Sequence, residues 1–260
     1  ARTWAREAKD RMALLAWFGG SALFFITLIF PVQFEKQWIT LGWGLEGVAV
    51  LWLYRRIPHP GLRGLGAALL VIAFIRLAVN PAVFDYHPRS AVRIWNWYLY
   101  SYGIITLCLL GGARLLVPPR DRLGAVSLPA LFNTLGTVLA FLLLNVEIAD
   151  YFSEGSSLTF QFSGSFARDM TYSIGWALFA LALLAAGVLR RLRAARYAAL
   201  GLLGVTLLKL FLHDLTALSA LYRIGAFLGV AVISILASVL YQRFFAQPAG
   251  PKTETHPVAS

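Results

Sequence analysis

The sequence predicts an all-α protein, a polytopic membrane helix bundle of about eight transmembrane helices. Three observations lead there. Hydrophobic residues fill 59% of the 260 positions and charged residues only 13%, against about a quarter in a soluble domain. Apolar runs close to the length that crosses a ~30 Å hydrocarbon core recur along the whole chain. These runs are continuous rather than alternating, so helices and not barrel strands are the spanning form.

Taken in order, the opening segment 1–11 is basic, with Arg2, Arg6, Lys9 and Arg11. It reads either as a charge anchor for the first span or as a short helix lying on the inner membrane surface. Spans follow at roughly 12–30, 37–54, 62–80, 95–117, 128–149, 169–189, 196–213 and 221–244. The first lacks a small-x-small cleavage pattern and reads as a retained helix rather than a signal peptide. Breakers separate the runs: "IPHPG" (57–61), "NPAVFDYHP" (80–88), "VPPRDR" (117–122) and "SEGSS" (153–157). The closing "AQPAGPKTETHPVAS" (246–260) is polar and aperiodic and is expected to be a disordered tail.

Charge gives the spans a direction. The formal charge of +11 would suggest nucleic-acid binding in a soluble chain, but here the arginines sit in short clusters between apolar runs. Sixteen Lys and Arg fall on the N-terminal side of the membrane, among them Arg55, Arg56, Arg63, Arg114, Arg120, Arg190 and Arg191. Six fall on the opposite side: Lys36, Arg89, Arg93, Arg168, Lys209 and Arg223. Both termini are therefore expected to be cytoplasmic, and nucleic acid is not an expected partner. The single cysteine, Cys108, allows no intrachain disulfide, and the four histidines form no ligand pair, so no metal or cofactor is expected.

A shift of 133 residues lays Gly42-Trp43 on Gly175-Trp176 and Arg76 on Lys209. A shift of 130 lays Arg93-Ile94 on Arg223-Ile224. The chain thus reads as a tandem of two four-helix membrane repeats, 12–117 and 118–245, pointing the same way.

Ionisable residues inside such a chain are the candidate site. Glu46 lies roughly 13 Å into its span at 1.5 Å per residue, near the membrane midplane. A carboxylate there must face the bundle interior, be protonated or meet a cation. It reads equally as an interhelical hydrogen bond and as a proton or ligand site. Arg76 and Lys209 lie about a turn from the outer boundary, where snorkelling to headgroups also accounts for them. Spacing places Lys209 with His213 on one face, Glu147 with Asp150 and Tyr151 on another, and Asp169 with Tyr172, Ser173 and Trp176 on a third. With Arg168, Asp214 and Arg223 these form an outer belt of both signs, the expected ligand-binding set. "RIWNWYLYSYG" (93–103) reads as an aromatic belt or as a stacking platform for a sugar or headgroup, and Asn96 within it needs a partner if buried. "GAFLG" (225–229) is a G-x-x-x-G compatible with close helix packing.

The stretches "FPVQFEKQWITLGWGLEGVAVLWL", "NVEIADYF", "ARDMTYSIGWALFALALLAAG" and "KLFLHDLTALSALYRIGAFLGVAVISILASVLYQRF" resemble the bacterial predicted membrane proteins grouped as domain of unknown function 2339. The resemblance covers most of the chain and is densest after residue 140. Its most specific part surrounds Lys209, Asp214, Leu221-Tyr222-Arg223 and Tyr241-Gln242-Arg243. Family members are often longer, with more spans. The resemblance implies a bacterial inner-membrane location and brings no reaction or catalytic residue.

Three functions compete. The first is binding or transport of an amphiphile, glycan or other envelope-polymer intermediate at an outward-facing polar pocket. The second is a scaffold among membrane protein partners, with the charges as interhelical ties. The third is an envelope enzyme on a lipid-linked donor, with an outer carboxylate as general base and Arg168 or Arg223 on a phosphate.

Overall fold

The computed structural model describes residues 11, 14, 15, 17–22, 25, 36–85, 92–153, 155, 158, 165–211 and 220–245. The expectations for the first ten residues, for most of the first span, for Asp214 and for the tail lie outside these. The described residues between 11 and 25 are helical. Seven helices follow: α1 (Lys36–Arg56), α2 (Pro60–Val79), α3 (Trp97–Leu115), α4 (Leu128–Phe152), α5 (Phe166–Leu189), α6 (Arg193–Lys209) and α7 (Ala220–Phe245). Each coincides within a few residues with a span predicted from the second onward.

The helix ends have identifiable causes. His59 accepts from the Gly61 amide at 3.2 Å and Pro60 opens α2, where its missing N–H has no helical partner to lose. Asn80-Pro81 stops that helix, and a 3-10 turn spans Pro81–Asp85. Between α3 and α4 the connector forms a small hairpin pairing Arg122 with Ser127 and Leu123 with Val126. Its two-residue turn begins at Gly124 with φ 58°, a conformation that suits glycine at the first turn position. Helix α5 ends in a Schellman arrangement: the Arg191 amide donates to Val188 O at 3.0 Å and the Leu192 amide to Gly187 O at 2.8 Å. Arg191 takes the left-handed position with φ 54°.

The chain divides into two compact units, one up to Gln161 and one from Phe162. In the first, α1 packs along α2 and α3 along α4, with α1 also against α3. Leu51, Leu70, Ile105, Leu109, Phe132 and Leu139 are fully buried at the centre. Glycines allow the closest approach. A Cβ at Gly66 would stand 3.0 Å from the Gly47 carbonyl oxygen and 2.8 Å from Leu51 Cγ, so α1 and α2 meet nearly backbone to backbone. The buried Tyr102 hydroxyl donates to Leu77 O at 2.8 Å and ties α3 to α2. In the second unit α5 packs along α6 through Ala177, Ala180, Leu184 and Ala199, while α7 touches α5 sparsely. Helix α4, which opens the second expected repeat, sits with the first unit.

Helices α2, α4 and α5 are long and apolar enough to cross a membrane, and α7 contains a shorter apolar stretch, Leu228–Gln242. Only 33%, 28% and 33% of the most apolar windows of α2, α4 and α5 is buried within the protein. Leu107 and Leu178 show the same outward greasiness, at 69% and 59% exposed. Such a coat is unstable against water and at home in hydrocarbon. The protein is a membrane helix bundle.

Replacing Gly66 with Leu is expected to destabilise the first unit by roughly 1–3 kcal/mol or more, the scale of overpacking a close contact. A Cβ at Gly64, by contrast, meets nothing within 4 Å, so Gly64→Ala should leave stability unchanged or raise it. Thermal unfolding of the detergent-purified protein checks both; equal effects would contradict the close approach.

Candidate functional site

Two groupings of polar side chains emerge, one in each unit. In the first unit the last turns of α4 present Glu147 and Asp150 at i,i+3 spacing, hence on one face. Facing them is Asn96, the N-cap residue of α3, 3% exposed. Its Oδ1 accepts from the Leu99 amide at 2.9 Å. Its Nδ2 donates to Glu147 Oε2 and to Asp150 Oδ2, each at 3.1 Å. One amide therefore begins a helix and holds two carboxylates. Asp150 is 2% exposed, so it depends on partners inside the protein. Glu147 Oε1 is buried with no hydrogen-bond partner among the described residues.

The approach to Asn96 is strained. Ile94 has φ 75°, a region that disfavours β-branched residues and costs about 1–3 kcal/mol. The three Asn96 hydrogen bonds lie two residues on and can offset that cost. Beside them the Arg93 guanidinium sits 4.9 Å from the Tyr151 ring centroid. The cluster can accept hydrogen bonds from a hydroxyl, an ammonium or a proton donor, with a cation at its edge.

In the second unit Lys209, the last residue of α6, reaches across to the start of α5. Its ammonium donates to Asp169 O at 3.2 Å and lies 2.9 Å from Ser173 Oγ. Ser165 caps α5 through the Arg168 amide at 3.4 Å. Arg168 and Tyr172 are buried, at 5% and 1% exposed. Lys209 is thus turned into the bundle and toward α5, the inward alternative of its two sequence readings. Below this polar end opens a cavity of about 670 Å³, lined from α5 by Phe166, Met170, Ser173, Ile174 and Ala177. Leu203, Gly204, Thr206 and Leu207 of α6 and Gly225, Gly229 and Ile233 of α7 line its other sides. A Cβ at Gly204, Gly225 or Gly229 would meet nothing within 4 Å. The G-x-x-x-G of α7 accordingly borders open space instead of another backbone.

The sequence-predicted residues fall out as follows. Glu147 and Asp150 come together through Asn96, and Asp169 with Lys209 through the α5 backbone. Glu46 is buried in α1, one turn from Trp43, whose ring carries the Arg76 guanidinium at 5.6 Å. The side chain of Arg223 and all of Asp214 lie outside the described residues. Sequence reasoning named Ser173, Gly225 and Gly229 but missed the rest of the cavity-lining set, because its members are uncharged. Their signal is a stripe of apolar and small residues at helical spacing, which a packed core would also produce. Among the described residues no group of three or more His, Cys, Asp or Glu is placed to hold a metal ion.

Replacing Asn96 with Ala removes the cap and both carboxylate donors. The expected loss is about 1 kcal/mol for the cap and a further ~1–3 kcal/mol for the two lost hydrogen bonds to carboxylates. Asn96→Asp keeps a capping oxygen but adds a third carboxylate, so it should be worse than Ala, and Asp150→Asn should recover part of that loss. Thermal unfolding of the four proteins reads this out; equal midpoints for the Ala and Asp variants would refute the shared-donor arrangement.

The family model described as predicted membrane protein (DUF2339) matches the chain over residues 1–161 and again over 64–244, which together run from 1 to 244. No curated protein and no solved structure matches it. The chain belongs to the DUF2339 family of predicted membrane proteins.

Proposed function

We propose that this protein binds an amphiphile in the cavity of its second unit, with the apolar tail between α5, α6 and α7 and an anionic or strongly polar headgroup at Lys209 and Ser173. The observation that carries the reading is the form of that cavity. Its volume, about 670 Å³, is in the range of small-molecule sites. Its walls are mostly apolar, with Thr206 and Ser234 among them, and Ser173 is both a wall residue and a hydrogen-bond neighbour of the Lys209 ammonium. A purely structural gap would not need glycine at three of its walls.

The wider setting is the bacterial inner membrane, with eight spans and both termini cytoplasmic. The alternation of Lys and Arg between successive connectors supports that direction. The tandem repeat is part of the same reading, and the two overlapping placements of the family pattern are in keeping with internal similarity. In that orientation Lys209 and Arg168 stand at the extracytoplasmic end, so the ligand enters from the outer leaflet. Transport would follow if the occupied cavity also opens inward.

Binding of parinaric acid, a fluorescent long-chain fatty acid, to the detergent-purified full chain tests the proposal. Gly204→Leu places apolar bulk on a wall where a Cβ meets nothing within 4 Å and should weaken binding by roughly tenfold or more, since each displaced methylene contact is worth about 0.8 kcal/mol. Lys209→Met should weaken the acid but not the corresponding long-chain alcohol. Saturable binding indifferent to Gly204→Leu would place the ligand elsewhere and overturn the reading.

A further inference from the structure

A second site lies at the opposite ends of the first-unit helices, where α1 finishes and α2 begins. A pocket of about 210 Å³ is lined there by Tyr54, Pro58, Pro60, Arg63 and Arg120. Two arginines far apart in sequence, one from the first turn of α2 and one from the connector before α4, share one small concavity. Tyr54 is what gathers them. Its buried hydroxyl donates to the Arg120 carbonyl oxygen at 3.2 Å, which pins the 117–122 connector against α1. Its ring lies 5.8 Å from the Arg63 guanidinium carbon. Arg63 Nε is buried and has no hydrogen-bond partner among the described residues.

Arg56 lies over the Trp52 ring at 5.4 Å, as Arg63 does over Tyr54, and Arg122 donates to Ala125 O at 3.0 Å. Among the arginines of this region, Arg63 and Arg120 line the pocket. The N-terminus of the 20-residue α2 adds the positive end of its dipole at the same place. Asp121 stands next to Arg120 in the chain. A charge cluster that served only to orient spans would not need two arginines from distant parts of the chain on one pocket.

We infer that this pocket binds a phosphate group, with Arg63 and Arg120 donating to its oxygens. Guanidinium forks match phosphate geometry with paired hydrogen bonds. The phosphate comes either from a phospholipid headgroup at the membrane face or from a soluble phosphorylated species. The site is separate from the amphiphile cavity and does not rest on that reading.

The test uses the delipidated full chain in detergent, probed by native mass spectrometry with phosphatidylglycerol or with phosphatidylcholine, whose choline cation neutralises its phosphate. Wild type should retain phosphatidylglycerol preferentially. Arg63→Gln and Arg120→Gln should each reduce it by roughly tenfold, the scale of losing a charge-assisted hydrogen bond. Arg56→Gln, outside the pocket, should not. Arg120 is exposed and only its backbone holds Tyr54, so its variant remains informative even if the Arg63 variant misfolds. Inorganic phosphate alone separates the two sources. A thermal shift with phosphate that is lost in both variants assigns the pocket to a soluble phosphate. Lipid retention without such a shift assigns it to a headgroup. Wild-type retention of phosphatidylglycerol by Arg120→Gln, or an equal loss in Arg56→Gln, overturns the inference.

Discussion

Hydrocarbon offers no hydrogen bonds, so every polar group on these helices must be satisfied by the chain itself or sit where the helix leaves the membrane. The described part of the molecule is organised by that constraint. Hydroxyls along the helices turn back onto their own backbone, as Thr137 does to Asn133 O at 2.8 Å and Thr206 to Leu202 O at 2.7 Å. Several groups too strong for that treatment are gathered at helix ends, while Glu46 is buried in the middle of α1. Asn96 serves a cap and two carboxylates at once, and Lys209 spans from the end of α6 to the start of α5. Arg76 lays its guanidinium over an indole within the first unit.

The same constraint explains why glycine has two opposite uses here. Helices surrounded by lipid gain little from burying apolar surface, so close packing and hydrogen bonding must bring them together. Gly47 and Gly66 do this by letting α1 and α2 touch through their backbones. Gly204, Gly225 and Gly229 do the reverse. Nothing fills the space their side chains would occupy, and a cavity remains between three helices. Identical residues in equally apolar helices thus build a rigid contact in one unit and a ligand-sized opening in the other.

Much of this was legible in the chain and some of it was not. Runs of apolar residues, Pro-containing connectors and arginine clusters located α1 to α7 within a few residues, because hydropathy and helix breaking act locally. The pairing of Glu147 with Asp150 followed from i,i+3 spacing, and the need of Asn96 for a partner followed from its place among aromatics. The 122–127 hairpin was hidden, since two residue pairs around Gly124 leave no alternation to read. The cavity was hidden because Met170, Gly204 and Gly229 carry no charge and repeat with the spacing of any core stripe. The pocket at Tyr54 was hidden in plain view: Arg63 and Arg120 looked like members of the orienting charge set until Tyr54 brought them together.

By itself the sequence determined that this is a helical membrane protein of the DUF2339 family and where its helices run, for those properties follow from the solvent each segment can tolerate. Only the tertiary structure decided which polar groups share a partner and which gaps stay open. Those outcomes depend on separations of a few ångströms between residues distant along the chain, such as Asn96 and Asp150 or Tyr54 and Arg120. A one-dimensional pattern of hydropathy and charge carries no such distance.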